Sequence, residues 1–286
     1  MIALARGWKD YSVIATGDGY KLERWGGFTL LRPDPQVIWR AQRDLFAYPN
    51  IHAVYHRSEK GGGGWEYRKP LPESWNISYH DLPFKVKPMG FKHTGLFPEQ
   101  AVNWERTGNL VKNAGRKIKV LNLFAYTGGA TVALAKAGAE VTHVDAAKGM
   151  VERAGENARL SGITSGIRYI VDDCKKFVQR EIRRGNRYDA IVMDPPSYGR
   201  GPGGELWKIE TELYPFVELC SAVLSDDPLF FLINSYTTGL QPAVLKNILS
   251  LCLGGRGGNI DAYEVGLPTE EGICLPCGAG GIYVHG

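Results

Sequence analysis

Beyond Lys119 the chain alternates between short apolar runs and longer mixed stretches. The runs at 120–124, 140–144, 167–171, 188–193 and 229–234 have the length of buried strands. Between and after them, 130–137, 149–160, 174–184, 210–224 and 241–251 read as helices. A last, weaker pair at 260–265 and 282–284 suits an antiparallel hairpin closing the sheet. Regular alternation of this kind predicts an α/β architecture, a doubly wound and mainly parallel seven-stranded sheet with helices on both faces.

The first ninety residues differ in pattern. They hold five of the seven tryptophans (Trp8, Trp25, Trp39, Trp65 and Trp75), short alternating runs such as Phe28-Thr29-Leu30-Leu31, and turn signals at Gly17-Asp18-Gly19 and 61–64. These predict a small β-rich (α+β) domain over 1–90 with one helix at 35–46, followed by the sheet domain over 91–286. The connecting stretch 91–111 contains a helix starting near Pro98. The tryptophans fit two uses, core packing or base stacking.

Composition changes this picture little. With 286 residues, 44% hydrophobic and 22% charged, the chain has the makeup of an ordinary globular protein. It shows neither a membrane-length apolar stretch nor a signal-like N-terminus, so the expected location is cytoplasmic, with no membrane partner. A net charge of +4 is compatible with a nucleic-acid partner without requiring one. Two basic clusters stand out: Lys112, Arg116, Lys117 and Lys119, then Arg180, Arg183, Arg184 and Arg187. Each reads as a solvated face or helix C-terminal charge in preference to a binding patch. The five cysteines are an odd number without a secretory signal, which argues against a disulfide framework. Cys274-Leu275-Pro276-Cys277 has no second pair to complete a zinc site and reads as a strand-end turn; no metal is expected.

The candidate chemistry sits at strand ends, where ligands of such sheets bind. The first strand stops at Tyr126-Thr127-Gly128-Gly129, and the second closes on Asp145. Glycines let backbone N–H groups approach a ligand, the following helix N-terminus adds a positive dipole end, and a strand-end carboxylate accepts from ribose hydroxyls. The turn reads A-Y-T-G-G-A rather than G-x-G-x-x-G, and no G-x-x-x-x-G-K-[ST] loop occurs. An adenosyl ligand without phosphates, S-adenosylmethionine, therefore suits the Rossmann-like fold better than a dinucleotide. The third strand ends in Asp172-Asp173-Cys174. Either acid can cap the next helix; we assign the cap to Asp172, and the adenine to Asp173 and the Cys174 backbone. The fourth strand ends in Asp194-Pro195-Pro196-Ser197-Tyr198, whose carboxylate and rigid carbonyls can hold a planar base or an amine for attack on a sulfonium methyl.

Together, N-L-F-A-Y-T-G-G, Asp145, the Asp172-Asp173 pair and D-P-P-S-Y resemble the class I S-adenosylmethionine-dependent methyltransferases. The closer resemblance is to the branch with the large-subunit rRNA cytosine-C5 and guanine-N7 methyltransferases, with its F-x-Y-T-G and D-P-P-x-F motifs. The segment from Lys92 to Gln100 is similar to that branch's K-T-G-x-x-x-D-Q stretch. The resemblance implies that Thr94, Phe97 and Gln100 touch the methionine half of the cofactor. The remaining expected contacts are Phe124, Ala125, Tyr126, Thr127, Gly128, Asp145, Ala146, Asp172, Asp173, Cys174 and Asp194. It further implies an rRNA base as acceptor, oriented by Asp194 and the Pro195 carbonyl, with Tyr198 or Tyr236 lining its pocket, and S-adenosylhomocysteine as product. The loop 199–204 is either a closing lid or a plain surface loop. Where the cytosine-C5 members carry a nucleophilic cysteine this chain reads Asn234-Ser235-Tyr236-Thr237-Thr238, which speaks against that chemistry. Little chain precedes the Trp-rich region to serve as an RNA-binding appendage. A small-molecule or protein side-chain acceptor is the alternative, and the oligomeric state stays open between monomer and homodimer.

Overall fold

A computed structural model of the chain describes residues 1–58, 62–90, 92–200, 204 and 206–286. It separates into two compact units. One comprises Leu4–Val102 with Gly266–Cys277, the other Met1–Ala3, Asn103–Val265 and Gly278–Gly286. The division thus falls at Val102 rather than near residue 90.

Strand β1 is Ile2–Leu4. The first unit is built on β2 (Tyr11–Gly17), β3 (Tyr20–Trp25), β4 (Phe28–Pro33), β5 (Ala53–Arg57) and β6 (Gly63–Tyr67), which form one sheet in that order. Strands β7 (Trp75–Tyr79) and β8 (Leu82–Val86) form a separate hairpin. The β2–β3 turn works because Asp18 and Gly19 both take positive φ, 50° and 80°, whose twist matches the flanking strands. Segment 269–273 belongs here too: Ser12 donates to Glu270 at 2.7 Å and the Thr16 N–H to Glu271 at 2.8 Å. That long-range return was not visible in the local pattern.

The expected helix at 35–46 is absent. Asp34 accepts from the Gln36 N–H at 3.1 Å and Asp44 from the Phe46 N–H at 2.9 Å. These local bonds compete with helical ones, and the stretch folds as a loop that buries Val37 and Leu45. The turn signal at 61–64 lies partly outside the described residues, as does the start of the 91–111 segment. For the tryptophans the structure selects packing. Trp25 is fully buried, and the indole N–H groups of Trp8, Trp39, Trp65 and Trp75 donate to Pro98, Thr16, Met89 and Trp25.

After α1 (Ala101–Asn113), the second unit follows the expected alternation closely: β9 (Lys119–Leu123), α2 (Gly129–Lys136), β10 (Glu140–Asp145), α3 (Lys148–Leu160), β11 (Ile167–Val171), α4 (Cys174–Arg184) and β12 (Ala190–Met193). A short antiparallel pair, β13 (Tyr198–Arg200) and β14 (Leu206–Lys208), precedes α5 (Ile209–Ser221), β15 (Phe230–Ser235), α6 (Pro242–Leu253), β16 (Asn259–Pro268) and β17 (Cys274–Val284). The sheet order is β1-β16-β17-β15-β12-β9-β10-β11. It contains the seven expected strands plus β1 at one edge. Strands β15, β12, β9, β10 and β11 run parallel, and β17 is antiparallel to β15. Cys274 and Cys277 lie within β17, not in a turn. Alternation along β9 explains the two layers. Leu121 and Leu123 join the core under α4, α5 and α6, while Asn122 faces the other way and bonds to Thr131 of α2.

Candidate active site

Strand register sets the site. Leu123 pairs with both Val144 and Met193, and Asp145 pairs with Val171. The residues that follow these four strands therefore emerge side by side at the carboxyl edge. The chain winds from β9 through β10 to β11 and then returns to place β12 on the other side of β9, so this edge holds the topological switch point. The structure thus brings together the turn 124–128, Asp145-Ala146, Asp172–Cys174 and Asp194–Tyr198. Thr94, Phe97 and Gln100 belong to the other unit. There the Thr94 hydroxyl is buried with no hydrogen-bond partner among the described residues.

The turn is conformationally costly. Phe124, Tyr126 and Gly128 all have positive φ, at 54°, 49° and 84°, and two of these are not glycine. Such residues persist only where surroundings over-determine them. Here Asp145 does so. One of its oxygens accepts from the Tyr126 N–H and the other from the Ala147 N–H, both at 2.8 Å. Burial pushes its carboxyl up, and these two N–H groups oppose the shift. From the other side the Asn157 amide donates to the Thr127 carbonyl at 2.8 Å. Both glycines are required by packing, and Gly128 by its backbone angle as well. A Cβ on Gly128 would lie 2.8 Å from the Ala154 Cβ, and one on Gly129 would lie 2.6 Å from the Trp104 ring. Beneath the turn, Asn122, Thr131 and His143 form a buried chain with links of 2.8 and 2.9 Å. Burial lowers the His143 pKa to about 4, so the imidazole is neutral there.

At the end of β11 the cap role falls to the other acid than expected. Asp173, not Asp172, is the N-cap of α4 and accepts from the Lys176 N–H at 2.9 Å. The helix starts at Cys174, and the cap is by geometry the residue before the first helical one. Asp172 is instead paired with Arg180 and accepts the Asp173 N–H. The Cys174 thiol lies under the turn, within 3.3 Å of the Phe124 N–H, and burial drives its pKa far up. Cys220 and Cys277 are shifted upward by burial as well. None of these three thiols is a ready thiolate.

Past β12, Asp194 is half-buried and Pro195 buried, while Pro196, Ser197 and Tyr198 face solvent. The Ser197 and Thr237 hydroxyls meet at 2.6 Å, joining this segment to the one after β15, where Tyr236 is half-buried. One participant was missed in sequence. Trp207 donates its indole N–H to the Pro196 carbonyl at 2.6 Å and lies 5.1 Å from the Phe124 ring and 5.6 Å from Phe216. It thus ties the D-P-P-S segment to the first residue of the turn. Isolated beyond a glycine-rich loop, Trp207 carried no periodic signal. Of that loop, residues 201–203 lie outside the described residues, and the lid expectation with them. Among the described residues no cluster of His, Cys, Asp and Glu side chains has the makeup of a metal site, and no helix is long and apolar enough to cross a membrane.

The donor set suits S-adenosylmethionine: a strand-end carboxylate fixed by two N–H groups, a tight turn without a phosphate cradle, and a helix start beside it. Comparison with known proteins agrees. Residues 47–206 match the model of the S-adenosylmethionine-dependent methyltransferase family. The crystal structure of a SAM-dependent methyltransferase from Agrobacterium tumefaciens is 35% identical and superposes with a TM-score of 0.93, over 99% of this chain and 93% of that one. Ribosomal RNA large subunit methyltransferase K of Neisseria meningitidis is 27% identical over 82% of this chain, and K/L of Allochromatium vinosum 34% over 50%. The chain spans 67% of the former's length and 19% of the latter's. With carboxyl-edge geometry, family match and full-length structural likeness in agreement, the chain belongs to the S-adenosylmethionine-dependent methyltransferases.

Proposed function

We propose that this enzyme transfers the methyl group of S-adenosylmethionine to a base of ribosomal RNA. The observation that carries the reading is the Asp194–Tyr198 segment, which follows β12 at the carboxyl edge beside the turn and presents Pro196, Ser197 and Tyr198 to solvent. The two curated relatives cited above, both named as rRNA methyltransferases, support the choice of RNA. The cofactor supplies a methyl already activated by the sulfonium, so the protein's task is alignment. In this reading Phe124–Gly128 hold the cofactor, Asp145 takes the ribose hydroxyls with Ala146 beside them, and Asp172 braces the adenine end through Arg180. The adenine meets Asp173 and the Cys174 N–H. Asp194 and the Pro195 carbonyl hold the acceptor amine, and Tyr198 stacks on a base drawn out of its helix. Thr94, with its orphaned hydroxyl, is a further proposed cofactor contact together with Phe97 and Gln100. A ring nitrogen or exocyclic amine fits better than cytosine C5, because Cys174, Cys220 and Cys277 are held as thiols.

The test is incubation with methyl-labelled S-adenosylmethionine and separate RNA, protein and metabolite fractions from cells lacking the enzyme. Label in a single RNA nucleoside, lost in Asp194→Ala, is expected. Label confined to protein or metabolites refutes the RNA assignment and leaves an acceptor of another class.

A further inference from the structure

Of the two basic clusters of the sequence, Arg180 serves the carboxyl edge through Asp172, while other members of both are brought by the fold to a second place. At the opposite, amino edge of the sheet an open groove of about 620 Å³ runs past the starts of β9, β10 and β11 and the end of α4. Lys119 comes from the first cluster, Arg187 from the second, and Arg168 from the start of β11; all three line the groove and are exposed.

The charges around it do not cancel. Glu140 is ion-paired with Lys117, and Asp189 with Arg116 at 2.8 Å. Glu181 forms the buried floor. It accepts from Tyr188 at 2.7 Å, Asn186 at 2.8 Å and Arg184 at 3.1 Å, and these bonds outweigh the upward push of burial on its carboxyl. Each carboxylate therefore has its own cation. Lys119, Arg168 and Arg187 have no ion-pair partner among the described residues. Among the described residues the Arg187 guanidinium reaches the Asn186 carbonyl at 3.3 Å, and Arg168 stands 5.9 Å over the Phe177 ring. Two guanidinium forks and an ammonium on a concave surface match phosphate oxygens, and an evenly spaced polyanion engages all three at once.

We propose that this groove is a backbone-phosphate contact for the RNA substrate, remote from the methyl-transfer site. It rests on the RNA reading above and extends it. Strands of about five residues at roughly 3.3 Å each separate the two edges by some 15–20 Å, a span of only a few nucleotides. Contacts of this kind fix register and orientation and leave choice of base to the catalytic edge.

The test compares wild type with Lys119→Gln/Arg168→Gln/Arg187→Gln, binding a fluorescently labelled single-stranded RNA of mixed sequence by anisotropy over a salt series. All three positions are exposed, and unchanged S-adenosylhomocysteine affinity verifies the fold of the variant; Arg187→Glu alone is the fallback. At about 0.7 per phosphate, loss of three contacts lowers the slope of log K against log salt by about 2 and weakens binding at least tenfold at low salt. Wild-type binding with the same slope and affinity in the variant overturns the groove while leaving RNA as substrate. Wild type that binds RNA without salt dependence, or not at all, also overturns the groove, and the label-transfer assay then decides separately whether RNA is the acceptor.

Discussion

Replacing Gly128 by alanine tests the glycine turn most sharply, because the structure separates two costs. The residue has φ 84°, where an alanine loses roughly 1–2 kcal/mol. Its Cβ would stand 2.8 Å from the Ala154 Cβ and 3.2 Å from the Ala154 Cα, an overlap with a rigid helix of the kind that costs about 1–3 kcal/mol. Gly128→Ala should therefore destabilise the unit by about 2–5 kcal/mol in chemical denaturation, or be accommodated by displacing the turn. Displacement breaks the Asp145–Tyr126 and Asn157–Thr127 bonds and raises the S-adenosylhomocysteine dissociation constant tenfold or more, a change of about 1.4 kcal/mol readable by calorimetry. Two further variants apportion the effect. Gly162→Ala, at φ 73° with open space around its Cβ, should show the backbone cost alone and leave cofactor affinity intact. Ala154→Gly costs roughly 1 kcal/mol by itself in a helix but should relieve the overlap when combined with Gly128→Ala, giving a favourable coupling energy. Gly128→Ala with the stability of Gly162→Ala and wild-type cofactor affinity would refute the reasoning.

Other consequences follow from single contacts. Trp207→Phe keeps a ring against Phe124 and removes the bond to the Pro196 carbonyl, so kcat should fall by about three- to tenfold, the worth of one hydrogen bond, with cofactor affinity nearly unchanged. In the first unit, Glu23 is buried and gripped by Arg32 through two bonds of 2.6 and 2.7 Å and by Tyr11 at 2.7 Å. Glu23→Gln leaves Arg32 without its counter-charge and should cost about 3–5 kcal/mol in denaturant titration. Burial alone pushes the Glu23 carboxyl up, but Arg32, Lys21 and the Tyr11 hydroxyl bring it down to about 2. Its contribution is therefore complete above the ordinary value of 4.5 and should be lost as pH falls from there towards about 2, a loss that a pH series of unfolding curves would reveal and that Glu23→Gln should not show. Finally, because no thiol mechanism is invoked, Cys220→Ser should retain turnover and trap no covalent RNA adduct on a denaturing gel.

Sequence and structure agree best where the chain reads locally. Strands β9, β10, β11, β12 and β15 and their helices lie within a few residues of the periodic pattern, and α4 coincides with it, because buried parallel strands and amphipathic helices impose their spacing directly. The carboxyl-edge residues were legible for the same reason, since strand ends and glycine turns announce themselves. What escaped depended on distance in sequence. The capping of α4 by Asp173 depends on where α4 begins, and the pairing of Asp172 on Arg180 one helix face away; the 269–273 return depends on Ser12 and Thr16, and Trp207 depends on a carbonyl across a short hairpin. The absent helix at 35–46 is an error of another kind. Its propensity lost to Asp34 and Asp44, which satisfy nearby N–H groups themselves.

The most direct test of the account is a crystal structure with S-adenosylhomocysteine bound. The account predicts the ribose hydroxyls within about 3.2 Å of the Asp145 carboxylate and the adenine beside the Cys174 N–H. The thioether sulfur should point towards Asp194. An adenosyl group bound away from the carboxyl edge, with Asp145 contacting only Tyr126 and Ala147, would contradict it.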